Sequence, residues 1–253
     1  GRWLLRNREL QTIDEAQALA DAADMAAEID AFVRERESSP YNKLVFLAGV
    51  ERQESFEVQV KVPLAEDTAV LSALQSDDIN IIKHAVYKQF DTYFLFDGHD
   101  PDAVRLRYRE EEISMDGELN QVRSRITLIG DEERVSFPNA VMLSRARFLA
   151  PADRSLRFYR EYFAPETEVE VVKTRRRWRI LYRDTDFAIN LDQVTSPSLG
   201  GFFVEVKSRT WSRTDAERKA RLITELLQTL GINPETAEPA DYPELVLATA
   251  SPG

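Results

Sequence analysis

The 253-residue chain has no cysteine and only two histidines, His84 and His99. The first absence excludes disulfides, thiolate zinc sites and cysteine nucleophiles. The second leaves too few imidazoles for a histidine-rich metal centre, and both histidines read as surface or loop residues away from the charged strands. Any metal bound here is therefore expected to be a hard ion on carboxylate oxygens, Mg²⁺ or Mn²⁺. No apolar run approaches the ~20 residues of a membrane span, and no leader-like segment opens the chain, so a cytoplasmic protein without a membrane partner is expected. Internal repeats and low-complexity tracts are also missing.

What is present is charge. Charged residues make up 30% of the chain, apolar ones 43%, and the net charge is −11. That balance suits a soluble globular protein and argues against nucleic acid as a partner of the whole surface. Between Arg145 and Arg183, however, arginine and lysine clearly outnumber acids, so a polyanion could be drawn to one place.

Two parts are expected along the chain. Residues 1–50 read as an N-terminal helical extension, which fits the end of a preceding domain. Its main helix covers 12–36, with Thr12 and Glu15 as a capping box. The run 44–50 fits a strand or a connector equally well. Residues 51–248 form the second part. Strand 55–62 stops at Pro63, a short helix over 66–76 follows with Asp67 as cap, and segments 91–96, 103–110 and 121–129 build a meander. A helix over 153–163 with Asp153 at its cap precedes strands 168–182, 186–193 and 202–210. An amphipathic helix from Thr214 to Leu230 then ends at Gly231. The tail beyond Pro234 is polar, with Tyr242 and Leu245 as docking points.

The strands share an alternation. Side chains of an extended strand point to opposite faces in turn, so Glu57, Gln59 and Lys61 lie on one face and Val58, Val60 and Val62 on the other. Arg105, Arg107 and Arg109 repeat the pattern, Arg123 and Arg125 begin another such segment, and Lys173, Arg175, Arg177 and Arg179 follow. Glu205 and Lys207 stand opposite Val204 and Val206. An open sheet would turn these charges to water. Shared by five strands, the pattern suits a sheet curled with its ionic faces inward, and cations confined there repel one another unless a polyanion joins them.

The spacing resembles a known family. Glu57-x-Gln59-x-Lys61 resembles the Glu-x-Glu-x-Lys signature opening the CYTH, or triphosphate tunnel metalloenzyme, superfamily, which includes class IV adenylyl cyclases and thiamine triphosphatases. Asp91 with Tyr93-Phe94 resembles its Asp-x-Tyr-Phe element, Arg105-x-Arg107 its paired arginines, and Lys173-x-Arg175 with Trp178 its Lys-x-Arg strand. Asp192 resembles the aspartate of Leu-Asp-x-Val, Leu199-Gly200-x-Phe202-x-x-Glu205 the Leu-Gly-x-Phe-x-Glu strand, and the stretch from Glu217 to Gly231 the closing helix. The likeness covers about residues 53–246. It implies an α+β fold: a closed eight-stranded antiparallel β-barrel, or tunnel, with helices packed outside.

The resemblance also implies a function, a metal-dependent phosphohydrolase acting on a linear triphosphate. Glu57, Lys61 and Glu205 would be catalytic, and Arg105, Arg107, Arg123, Arg125, Lys173, Arg175 and Lys207 would hold the substrate. Glu57, Gln59, Asp192 and Glu205 would hold Mg²⁺ or Mn²⁺. Departures weaken the metal half: Gln59 replaces a glutamate, Lys207 replaces the last acid of its strand, and Ile129 stands where a lysine is expected. A glutamine oxygen ligates a hard cation without adding charge. The alternatives are therefore a degenerate triphosphate-binding module, or a cyclase in which the substrate's own hydroxyl attacks. A homodimer is left open. RNA 5′-triphosphate recognition would use Arg145, Arg147, Arg157 and Arg160 at the mouth.

Overall fold

The computed structural model describes residues 4–6, 9–10, 12–48, 55–96, 105–129, 136–137 and 141–250. The chain forms two compact units, Gly1–Val50 and Glu51–Gly253. In the first, short strands β1 (Leu5–Arg6) and β2 (Glu9–Leu10) pair antiparallel, followed by helices α1 (Glu15–Ser38) and α2 (Pro40–Ala48). Asp14, not Thr12, caps α1 by accepting from the Gln17 amide at 3.1 Å. The run left open at 44–50 is helical to Ala48, because Pro40 suits a first helical position, where its missing amide proton costs nothing.

The second unit is built on one antiparallel sheet. Its strands are β3 (Ser55–Leu64), β4 (Asn80–Leu95), β5 (Arg105–Met115), β6 (Glu118–Ile129), β7 (Ser136–Phe137), β8 (Val141–Pro151), β9 (Thr167–Tyr182), β10 (Thr185–Ser196) and β11 (Phe202–Thr210). Their order is β3-β11-β10-β9-β4-β5-β6-β8-β7. Eight of these are long, and β7 is a two-residue strand on β8. β3 pairs along its length with β11, Lys61 facing Glu205, and also with β8, from Ser55 facing Ala146 to Gln59 facing Met142. The α+β class and the eight-strand antiparallel sheet agree with expectation.

The aliphatic face of the sheet is the core. Val58, Val60, Val62, Ile180, Ile189, Val204 and Val206 pack with Ala216, Ala220, Ile223, Leu226 and Leu227 of helix α5 (Arg213–Thr229). Ser212 caps that helix by accepting from the Asp215 amide, and Gly231, at φ +73°, follows its end. Helices α3 (Thr68–Ala73) and α4 (Leu156–Phe163) flank the sheet; α6 (Tyr242–Ala250) follows a single 3-10 turn at Pro234–Thr236. No helix among the described residues is long and apolar enough to cross a membrane.

Several local expectations need correction. β3 runs through Pro63 to Leu64. Beyond Gln59 the only strand paired with it among the described residues is β11, and a strand with one ladder neighbour tolerates a residue without an amide proton. β4 begins at Asn80 and carries His84, which lies on a charged strand stacked 4.8 Å from Trp178 rather than away from it. His99 lies outside the described residues. Asp67 makes no capping bond and instead pairs with Arg176. Ser155 rather than Asp153 caps α4. Arg145 and Arg147 lie on strand β8 and their side chains are outside the described set. Arg157 and Arg160 are spent on Glu161, Glu168 and Glu170.

Two turns and one close approach fix the register. β5 and β6 join through Asp116-Gly117, and β9 and β10 through Arg183-Asp184; all four residues have positive φ. Gly201, at φ +52°, begins the run into β11, and a Cβ there would meet the Leu64 carbonyl oxygen at 2.3 Å. Leu226 is fully buried between α5 and the sheet. Leu226→Ala is expected to lower unfolding stability by about 2–5 kcal/mol, read as a lower urea midpoint with unchanged slope.

Candidate anion-binding site

The ionic residues occupy the other face of the same strands, and ladder register sets their neighbours. Asp91 on β4 stands opposite Arg109 on β5, and Gln89 faces Glu111 on one side and Lys173 of β9 on the other. Arg175 of β9 stands opposite Asp192 of β10, and Arg177 opposite Asn190, which in turn faces Glu205 of β11. None of this depends on loops. Once the strands pair, the charges meet.

Three clusters result. Arg109 donates through Nε and Nη2 to the two Asp91 oxygens at 2.5 and 2.6 Å, and the Lys173 ammonium adds a contact at 3.3 Å. Arg175 grips Asp192 in the same two-pronged way at 2.7 and 2.6 Å and reaches Glu205 at 2.8 Å. Asn190 donates to Glu205 at 2.7 Å and accepts from Arg177 at 2.6 Å, while Lys207 stands 3.2 Å from Glu57 and 3.8 Å from Glu205. In the third cluster one Glu111 oxygen takes both Arg123 and Arg125 at 2.6 Å, and the other takes the Gln89 amide at 2.7 Å.

The start of α6 joins strands that are distant in the order. Arg105 of β5 donates to Glu244 at 2.9 Å and Asp241 at 3.1 Å. Lys61 of β3 donates to the Ala240 carbonyl. The Tyr242 ring lies between the Lys61 and Lys173 ammonium groups, at 4.7 and 4.2 Å, and its hydroxyl donates to Asp192 at 2.7 Å. In a flat sheet β5 and β3 would stand about 24 Å apart through β4, β9, β10 and β11, given roughly 4.8 Å per strand. One residue pair, Asp241-Tyr242, reaches both. The ionic face is concave.

Burial and crowding show in the ionisation of these groups. Burial lowers Lys173 to about 8; Asp91 opposes the shift and Arg109 and Arg175 add to it. Burial likewise lowers Arg125 to about 10, with Glu111 opposing and Arg123, Arg109 and Arg107 contributing. Arg177 is lowered by burial and by Arg175. Burial by itself would raise Asp91, but Arg109 and Lys173 outweigh it and hold the carboxyl far below its ordinary value. Glu57 is lowered chiefly by Lys207. Arg107 makes no ion pair among the described residues, and its buried Nε has no hydrogen-bond partner.

The residues expected to hold Mg²⁺ or Mn²⁺ do not fit that task as arranged. Asp192 already carries Arg175 and the Tyr242 hydroxyl; Glu205 carries Arg175, Asn190 and Lys207; Glu57 carries Lys207. Gln59 brings no charge. Among the described residues no three acidic, histidine or cysteine side chains gather as a cation site. Lys207 stands where a divalent ion would have to bridge Glu57 and Glu205. The carboxylates are matched to fixed protein cations.

The structure thus brings together Glu57, Lys61, Arg105, Lys173, Arg175, Asp192, Glu205 and Lys207, with Arg123 and Arg125 joined through Glu111, and Arg107 between Arg105 and Arg109 along the same face of β5. Sequence reasoning left out Glu111, Gln89 and Asn190 as partners. The continued alternation after Arg109 is a signal for Glu111. It also left out Asp241 and Glu244, for which the sequence holds no signal, since their contact with Arg105 spans well over a hundred residues.

Solved structures share this arrangement of strands. The PH1819 protein of Pyrococcus horikoshii OT3 matches with a TM-score of 0.56 at 18% identity, over 76% of this chain and 99% of that one. A "putative adenylate cyclase" from Vibrio parahaemolyticus matches with a TM-score of 0.51 at 15% identity, over 77% of this chain and 99% of its own. No family model and no curated protein matches the chain. At 15–18% identity the likeness concerns the fold alone.

Lys173 supplies a pH test. Its value of about 8 in the folded chain lies below the ordinary 10.5, so between those values the unfolded chain binds more protons. The Lys173 contribution to stability is therefore expected to rise as pH goes from about 8 to about 10.5. Urea unfolding across that range should show the rise in the wild type and a flatter profile in Lys173→Met.

Proposed function

We propose that the concave ionic face binds a linear triphosphate-type polyanion without a resident divalent metal, as an anion-binding module. The observation that carries this reading is the surplus of half-buried cations on that face. Among the described residues Arg107 and Arg177 make no ion pair, Arg123 and Arg125 share the carboxylate of Glu111, and Arg177 donates to the Asn190 amide oxygen and lies over the Tyr87 ring. Burial lowers the ionisation of Lys173, Arg125 and Arg177, and repulsion from neighbouring arginines adds to it. A polyanion along that face would relieve the repulsion and supply the missing acceptors.

The reading takes the sheet as a closed tunnel. Support comes from β3, which has β11 on one side and β8 on the other, and from the reach of Asp241-Tyr242 across the face. In such a tunnel Arg107, Arg109, Arg125, Lys173 and Arg177 would line the phosphate chain, and Lys207 would replace a metal as the charge that spans Glu57 and Glu205. Phosphate hydrolysis, or cyclisation of a nucleotide of the kind the Vibrio protein's description implies, would require a divalent ion to displace Lys207 from that pair.

Calorimetry with sodium tripolyphosphate in the presence of EDTA tests this. Saturable binding is expected, weakened about 10–100-fold by Arg107→Ala and falling as salt rises. Binding that needs Mg²⁺ or Mn²⁺, with phosphate release lost in Glu57→Gln, would replace this reading with the metal-dependent phosphohydrolase. No binding under either condition would leave the face without a ligand function.

A further inference from the structure

Helix α6 and its lead-in touch the ionic face. Asp241 and Glu244 both hold Arg105, the Ala240 carbonyl takes Lys61, and the Tyr242 ring separates Lys61 from Lys173. Two carboxylates on one guanidinium present the oxygens that a phosphate group would present there. Burial would raise Asp241, but Arg105 and Lys61 hold it at about 2, so it is fully charged at neutral pH.

The seat beneath is apolar. Tyr242 and Val246 pack on Tyr93, Leu95, Val169, Val171, Val194 and Phe203, so at this end the inner face of the sheet changes from ionic to hydrophobic. The ion pairs of the far clusters, Glu111 with Arg123 and Arg125 and Lys207 with Glu57 and Glu205, join strand to strand. The tail thus occupies one end of the cationic face and leaves the other end to a ligand.

From these contacts we infer that the segment from Ala240 to Ala250 is an internal anionic stopper, which competes with an incoming polyphosphate for Arg105 and Lys61. The inference rests on the polyanion-binding reading and goes beyond it: affinity would be set by how readily the chain's own carboxylates yield. A simpler role for the same acids is capping. Asp241 stands before α6 and its backbone amide donates to Glu244 at 2.9 Å. Capping needs only an oxygen acceptor, which asparagine and glutamine also provide, whereas competition for Arg105 needs the charge.

The double variant Asp241→Asn, Glu244→Gln in the full chain separates the two. Tripolyphosphate is expected to bind it about tenfold more tightly than the wild type in calorimetry, with its melting transition retained. Equal or weaker binding by a folded variant overturns the stopper while leaving the binding reading intact, because the wild type still binds. Absence of binding by wild type and variant alike sinks both. Should the variant fail to fold, amide exchange of the wild type decides: tripolyphosphate is expected to speed exchange across 240–250, and unchanged or slower exchange there overturns the inference.

Discussion

A buried guanidinium or ammonium group survives only where oxygen atoms replace the water it has lost, and that condition governs the inner face of this sheet. Arg109 meets it with both oxygens of Asp91, and Arg175 with Asp192 and Glu205. Removing one member of such a pair leaves the other charge buried and alone, typically a loss of about 3–5 kcal/mol, so the pairs lock neighbouring strands into one register. The aliphatic face needs no such matching. There Val58, Val60 and Val62 press on α5, and area alone holds them. Each strand therefore joins an indifferent, greasy contact on one side to an exacting ionic one on the other.

The same demand explains why the acids are poor metal ligands here. A carboxylate that neutralises a fixed arginine has little charge left for a mobile cation. The Lys207 side chain, standing in place of an acid in the resembled motif, neutralises Glu57 and Glu205 from within. Gln59, opposite Lys207 across the β3–β11 ladder, adds an uncharged oxygen. The two departures from the resembled motif lie face to face, and Lys207 neutralises both glutamates there.

Period-two alternation made the inner face legible before any coordinates. Lys61, Arg105, Lys173 and Glu205 could be set on one surface because a strand's geometry leaves no choice once it is known to be a strand. β8 was harder to see, since Val141–Pro151 lacks a sustained alternation, and α2 was ambiguous because the short apolar run at 44–50 carries no decisive period. Pairing partners were beyond reach for a different reason. Which acid meets which base depends on strand order, and the sequence holds no direct record that β9 lies between β10 and β4. The tail was least legible: Asp241 and Glu244 look like an ordinary helix start, and only the folded chain puts Arg105 beside them.

Gly201 shows how much of this chemistry hangs on an atom that is not there. The Leu64 carbonyl fills the space a methyl group would need, so any other residue at 201 would push the entry of β11 away from β3. Displacement at that hinge point would carry Phe203 off the Tyr242 ring and slide Glu205 and Lys207 relative to Lys61 and Gln59. A position with no side chain, no charge and no contact with any ligand thus sets the spacing of the electrostatic lattice, and tolerance to exchange there should be narrower than at many of the charged residues themselves.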